Sequence, residues 1–184
     1  MDLDDVEVLK MLEIPFQDRQ GTDYTCGADS VQKVLVYYGE DYREMNLAEI
    51  LKSDPENGTL VKNIVDFFHS KGFKAVVKEK MTIKDLMKHI DRNIPVIIMI
   101  QAWGDTGKDY SKDWDDGHYV VVMGYTKDKL LIADPALFTL GYIPKKELIK
   151  RWHDVDGEKK TYQLGISVFG KKPKFDMDKI EKIK

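Results

Sequence analysis

The chain changes its hydrophobic character after Pro95, and that switch limits the folds open to it. Before it, apolar residues recur every three or four positions. Ala28, Val31, Val34, Leu35 and Tyr38 share one face of a helix that Gly39 is placed to end. Asn46 followed by Glu49 predicts the capped start of a short helix through Leu51. Thr59 opens another, with Leu60, Ile64, Phe67 and Phe68 inward and its close near Gly72. Thr82 with Asp85 opens a fourth, with Leu86 and Ile90 inward. After Pro95 the pattern becomes short apolar runs. Pro95–Ile100 reads as a strand covered on both faces, and Tyr119–Tyr125 and Leu130–Ala133 read as two more, joined across Thr126-Lys127-Asp128-Lys129 in a tight hairpin. Pro144 suits the first turn of a helix from Lys145 to about Trp152, and Tyr162–Phe169 gives a last strand. Helices first and antiparallel strands second predict an α+β fold, with a helical N-terminal half packed on an antiparallel sheet.

No internal repeat or Gly/Ser-rich linker divides the chain, so residues 1–184 are expected to form a single domain, with 171–184 a charged tail that is a peripheral helix or a frayed end. With 42% apolar and 33% charged residues, the chain has enough hydrophobic material for a core without covalent staples. Cys26 is the only cysteine, which excludes an internal disulfide, and no cluster of Cys and His has structural-zinc spacing. A reducing, cytoplasmic location is the expectation. The start Met1-Asp2-Leu3-Asp4-Asp5 is acidic without an apolar segment behind it, and no apolar run approaches the roughly 18 residues of a membrane span. The net charge of −3 is spread among interspersed residues of both signs, so a nucleic-acid partner is not expected.

Cys26 lies where a short polar loop, Gln20-Gly21-Thr22-Asp23-Tyr24-Thr25, runs into the first amphipathic helix. A thiol in the first turn of a helix feels unpaired backbone N–H groups and the positive end of the dipole, which favour the thiolate nucleophile. Such a nucleophile needs a base, and the base needs a group to orient it. Of the four histidines, His118 is placed best, at the point where the polar loop Asp116-Gly117 enters a buried strand. His69, near a helix end, His89, on the outer part of another helix, and His153, among Asp154, Asp156 and Glu158, read as surface residues. In the antiparallel hairpin the far end of the second strand returns to the start of the first, which brings Asp134 opposite His118. A carboxylate there fixes the ring's tautomer and stabilises the imidazolium formed beside a thiolate.

At these residues the chain resembles the C39 family of papain-like cysteine peptidases. The resemblance is carried, in order, by Gln20-x5-Cys26-Gly27-Ala28, by Tyr37-Tyr38-Gly39, by the run from Asp116-Gly117-His118-Tyr119 to Gly124-Tyr125, and by Asp134-Pro135. It implies that Cys26 is the nucleophile, His118 the general base and then acid, and Asp134 the residue that positions His118. It further implies that the Gln20 side chain and the Cys26 backbone N–H form the oxyanion hole, where fixed donors contribute roughly 3–4 kcal/mol each. A papain-like fold, a peptide or protein substrate and chemistry without a metal or organic cofactor are the corresponding expectations. Bacteriocin-maturing members are parts of ABC transporters. Neither membrane helices nor an ATPase is legible here, so the likeness is to stand-alone members.

Gly27 reads either as room beside the nucleophile for a substrate backbone or as a loop-to-helix residue. The long polar and aromatic segment from Trp103 to Asp116 reads either as a flexible lid whose Trp103 and Trp114 line a substrate cleft, or as a solvated loop anchored by two tryptophans. The leading functional expectation is a cysteine-dependent hydrolase that cleaves a peptide or amide bond through an acyl-enzyme on Cys26. The alternatives are acyl transfer or deamidation by the same three residues, and a catalytically idle domain that docks a peptide. A redox-sensing thiol is disfavoured because the chain has no second cysteine to resolve it.

Overall fold

The computed structural model describes residues 7–15, 19–170, 172–174, 180, 182 and 183. The acidic N-terminal start and much of the 171–184 tail therefore lie outside the described residues. Among the described residues five helices and nine strands follow in the order β1 (Val8–Met11), α1 (Cys26–Tyr37), α2 (Glu44–Ile50), α3 (Val61–Ser70), β2 (Lys74–Lys78), α4 (Ile83–Asp91), β3 (Val96–Gln101), β4 (Gly117–Thr126), β5 (Lys129–Ala133), β6 (Gly141–Pro144), α5 (Lys145–Arg151), β7 (His153–Asp156), β8 (Lys159–Tyr162) and β9 (Gly165–Phe169). The fold is α+β: the helices pack on a seven-stranded sheet of order β2-β9-β3-β4-β5-β6, with β1 paired to β4, and β7-β8 stand apart as a hairpin.

The apolar runs after Pro95 become the centre of this sheet because they are buried on both faces. Every residue of β3 is buried, and so is every residue of β4 after Gly117. Covered strands of this kind carry continuous apolar sequence rather than alternation. Against them lies α1, whose Ala28, Val31, Val34 and Leu35 are fully buried. The helix is enclosed nearly all round, and its buried Asp29 and Lys33 offset their own desolvation by pairing at 3.0 Å. Gly39, at a φ of 78°, takes the chain out of the helix as its position suggests.

Several boundaries differ from the sequence expectations. Asn46 is inside α2 rather than at its cap; the N-cap is Arg43, without a side-chain cap. Thr59 is likewise not the cap of α3. Leu60 holds that position, and the Thr59 hydroxyl is taken by Ser53 Oγ at 2.6 Å. The expected strand Tyr162–Phe169 is two strands: β8 turns away to pair with β7, while β9 joins β2 and β3. The N-terminal half also supplies β1 and β2, so it is not wholly helical. Among the described helices only α4 has the full reciprocal cap, with Thr82 Oγ1 accepting from Asp85 N at 3.1 Å and Asp85 Oδ2 accepting from Thr82 N at 2.9 Å.

That difference predicts unequal costs of alanine substitution. Thr82→Ala lowers unfolding free energy by about 1 kcal/mol in urea titration, whereas Asn46→Ala, on the exposed face of α2, stays within about 0.5 kcal/mol of the parent.

Candidate active site

Three elements bring the sequence-predicted residues to one place. Cys26 is the first residue of α1, His118 the second of β4, and Asp134 follows the last residue of β5. Pairing of Val121 with Ala133 sets Asp134 across from Val120, two residues along β4 from His118. The two side chains thus share a face and meet diagonally rather than directly opposite, as the hairpin alone suggested. His118 Nε2 lies 2.7 Å from Asp134 Oδ1, with both side chains buried. The Cys26 thiol lies near enough to the same ring to raise its affinity for a proton.

The carboxylate of Asp134 is held at both oxygens. Oδ1 also accepts from Ala136 N at 2.8 Å, and Oδ2 accepts from the Trp103 indole N–H at 3.2 Å. Burial alone would push the Asp134 carboxyl up, but the His118 hydrogen bond and charge, with those two donors, hold it below the usual carboxylate range. Burial alone would likewise lower the affinity of His118 for its proton. Hydrogen bonds and negative charge from Asp134 and Cys26 outweigh that and raise the ring to about 9.

Gln20 lies at the edge of the same site. Its backbone N–H donates to Pro135 O at 2.9 Å, which ties the loop before α1 to the turn that carries Asp134. Its side-chain Nε2 donates to Thr22 O at 2.8 Å, while its buried Oε1 has no hydrogen-bond partner among the described residues. The loop is fixed further by Gly21 N, which donates to Glu44 Oε1 at 2.9 Å, and by Thr25 Oγ1, which donates to Thr22 O at 3.1 Å. A cleft of about 660 Å³ runs past Gln20, Thr22, Trp103, Asp116 and His118. A second, of about 260 Å³, reaches Cys26 from the side of Thr59, Met99, Trp114 and Asp154, and the two share Asp23, Asp115 and Gly117 on their walls.

Gly27 has no free room beside it. A Cβ there would lie 2.6 Å from Thr59 Cβ, so the glycine admits the Thr59 side chain rather than a substrate. Thr59 is held in turn by Tyr119, whose hydroxyl donates to its carbonyl at 2.7 Å. His153, expected on the surface, is buried: its ring packs 4.6 Å from that of Trp114 and its Nε2 contacts Asp113 O at 2.8 Å. His69 is exposed and His89 half-buried.

Two contributors escaped the sequence reading. Asp154, on β7, is buried beside Gly117; burial, opposed by Val155 N, by Gln101 and by the charge of His118, pushes its carboxyl up to about 6. Nothing in the sequence announced β7, so nothing pointed Asp154 at the site. Trp103 was noted as part of a cleft, but no sequence signal gave its bond to Asp134. Among the described residues no three His, Cys, Asp or Glu side chains converge as a metal ion would require, and no helix is long and apolar enough to cross a membrane.

The comparisons with known proteins agree with this architecture. The profile of the peptidase C39 family matches residues 17–155. An uncharacterized protein of Methanothermobacter thermautotrophicus is 30% identical over 132 residues, covering 72% of this chain and 78% of its own length. The transport/processing ATP-binding protein ComA of Streptococcus pneumoniae is also 30% identical over 132 residues, covering 71% of this chain but only 16% of ComA. Among solved structures, a putative C39-like peptidase from Bacillus anthracis superposes with a TM-score of 0.66 at 20% identity, covering 91% of this chain and 100% of that one. The peptidase domain of Streptococcus ComA superposes at 0.60 with 22% identity, covering 82% and 95%. A double glycine motif protease from an AMS/PCAT transporter, in complex with its leader peptide, gives 0.61 at 18% identity, covering 87% and 94%. The fold is therefore the papain-like fold of C39 peptidase domains.

The raised affinity of His118 for its proton carries a stability consequence of fixed sign. The imidazolium–carboxylate pair contributes in full below the ordinary histidine value of 6.5, and its contribution is lost as pH rises through about 9. Thermal unfolding midpoints should fall between pH 6.5 and 9.5 in the parent, and that decline should be shallower in Asp134→Asn, where the ring has lost its anionic partner.

Proposed function

The chain belongs to the peptidase C39 family, and from that premise we propose that it hydrolyses a peptide or amide bond through a thioester on Cys26. The observation that carries this reading is the buried His118–Asp134 hydrogen bond of 2.7 Å, with the thiol of Cys26 near the same ring at the wall of an open cleft. Family membership supports a cysteine peptidase or related domain, and the neighbour that holds a leader peptide supports a peptide substrate.

In the proposed sequence the Cys26 thiolate attacks the carbonyl carbon, and the carbonyl π electrons move onto oxygen. The backbone N–H of Cys26 and the amide of Gln20 donate to that oxyanion. One N–H of the Gln20 amide is engaged by Thr22 O, which leaves the other for the developing charge. As the tetrahedral species collapses, the C–N bond breaks and the His118 imidazolium gives its proton to the leaving amine. Water then attacks the thioester, His118 takes the proton of the water, and the acid product departs as the thiolate returns. Asp134 keeps its charge throughout and holds the ring in the orientation that serves both transfers.

This reading predicts a graded mutant series with peptide substrates drawn from a library and scored by mass spectrometry. Cys26→Ser lowers turnover by on the order of a thousandfold or more with the fold intact. Gln20→Ala lowers kcat by roughly a hundredfold with little change in KM. Asp134→Asn reduces turnover less completely than Cys26→Ser. Turnover itself should decline above pH of about 9, as His118 loses the proton the leaving group requires. Undiminished cleavage by the serine variant would contradict the assignment.

A further inference from the structure

The Trp103 side chain touches the Asp134 carboxylate, and the chemistry described so far gives it no role. It follows β3, and its φ of 64° is left-handed, a conformation that bulky residues adopt only when their surroundings impose it. Those surroundings are visible. Ala102 N donates to Asp116 O at 2.9 Å, and Asp116 N returns a bond to Gln101 Oε1 at 3.0 Å. Gly104 N donates to the hydroxyl of Tyr110 at 3.0 Å, and the Tyr110 ring lies 4.1 Å under the Arg151 guanidinium. Lys108 bridges Asp113 at 2.8 Å and Asp116 at 2.6 Å. Gly104 itself admits no side chain, because a Cβ there would fall 1.8 Å from Asp116 Oδ2.

This bracing does not bury the indole, which remains 58% exposed. What it achieves is the placement of one N–H on Asp134 Oδ2 at 3.2 Å. The indole also forms part of the wall of the cleft that holds His118 and Gln20, and of an adjoining cavity of about 300 Å³ lined by Ile100, Ile132, Leu137 and Tyr142.

We propose that Trp103 is a positioning residue for the hydrolytic reaction: its indole N–H and ring plane pin and shield Asp134 Oδ2, so that Oδ1 stays directed at His118. The inference rests on the catalytic reading of Cys26, His118 and Asp134. Without the indole, Oδ2 faces the cleft, water competes for it, and the carboxylate gains freedom to rotate away from the ring. The strained backbone at Trp103 is then the conformational cost of holding the donor in place, and the Lys108 and Tyr110 contacts are what sustain it.

The test follows the bridging proton between His118 and Asp134 in the full chain labelled with ¹⁵N-histidine, at pH 7. The parent should show a low-field N–H resonance that is lost in Asp134→Asn. In Trp103→Phe, which keeps an aromatic ring and loses the N–H, exchange of that proton with water should accelerate about tenfold, in keeping with loss of one charge-assisted hydrogen bond. Trp103→Gly, which relieves the left-handed backbone and loses the shield as well, should exchange faster still while unfolding no earlier than the parent. Unchanged exchange in both Trp103 variants, with the parent resonance present and lost in Asp134→Asn, overturns the positioning role alone. A parent without the resonance, or one in which Asp134→Asn leaves it intact, overturns the His118–Asp134 reading beneath it.

Discussion

A buried imidazole and a buried carboxylate share one hydrogen bond of 2.7 Å, and the geometry of the whole site depends on it. Neither group is stable alone where it sits. Burial pushes the Asp134 carboxyl toward its neutral form and the His118 ring toward its own, and their mutual contact, with the Ala136 and Trp103 donors on Asp134 and Cys26 beside the ring, opposes both shifts. Their meeting is delivered by strand pairing: β4 lies between β3 and β5, so backbone ladders on both sides fix where His118 projects, and Asp134 leaves β5 two residues down the same face. Breaking such a pair by removing one partner costs about 3–5 kcal/mol in typical proteins, because the other charge stays buried.

The thiol reaches this pair from the other half of the molecule. Helix α1 packs on β4 with its Ala28, Val31 and Leu35 fully buried, which sets Cys26 at the helix start against the ring. Tyr119, the next residue of β4, points to the opposite face and bonds Thr59 O, and Thr59 fills the space over Gly27. The loop before α1 is tied by Gln20 N to Pro135 O, so the Gln20 segment and the Asp134 turn are joined as one unit. Thiol, imidazole, carboxylate and the amide beside them are thus referenced to a single sheet.

The parts of this arrangement that were legible in the sequence are those governed by local pattern. The apolar runs of β3, β4 and β5 and the periodic face of α1 were readable because burial on this scale demands apolar residues at every covered position. The short hairpin between β4 and β5 then located Asp134 near His118 from connectivity alone, although the offset in register, which makes the contact diagonal, was not visible. What stayed hidden depends on partners far away in the chain. β1 and β2 are short, partly exposed strands whose only reason to be extended is an edge to pair with. β7 and β8 pair with each other, and the buried His153 read as a surface residue because its neighbours in sequence are charged. The cap expected at Asn46 failed because Ser, Asp and Asn signals mark possible caps, and the packing of Leu47 and Ala48 decides where the helix starts. Gln20 and the indole of Trp103 are loop residues whose partners no periodicity can announce.

The central claim is that the thiol of Cys26 reacts as one member of an ion pair with the ring that Asp134 holds. Since Cys26 is the only cysteine, the rate of alkylation by iodoacetamide reports that thiol without correction, and its pH dependence can be compared directly between the parent and His118→Ala. The account predicts rapid alkylation that persists well below pH 7 in the parent and a marked slowing in His118→Ala. A parent profile that rises only near the free-thiol value of about 8.5, indifferent to the loss of His118, would contradict it.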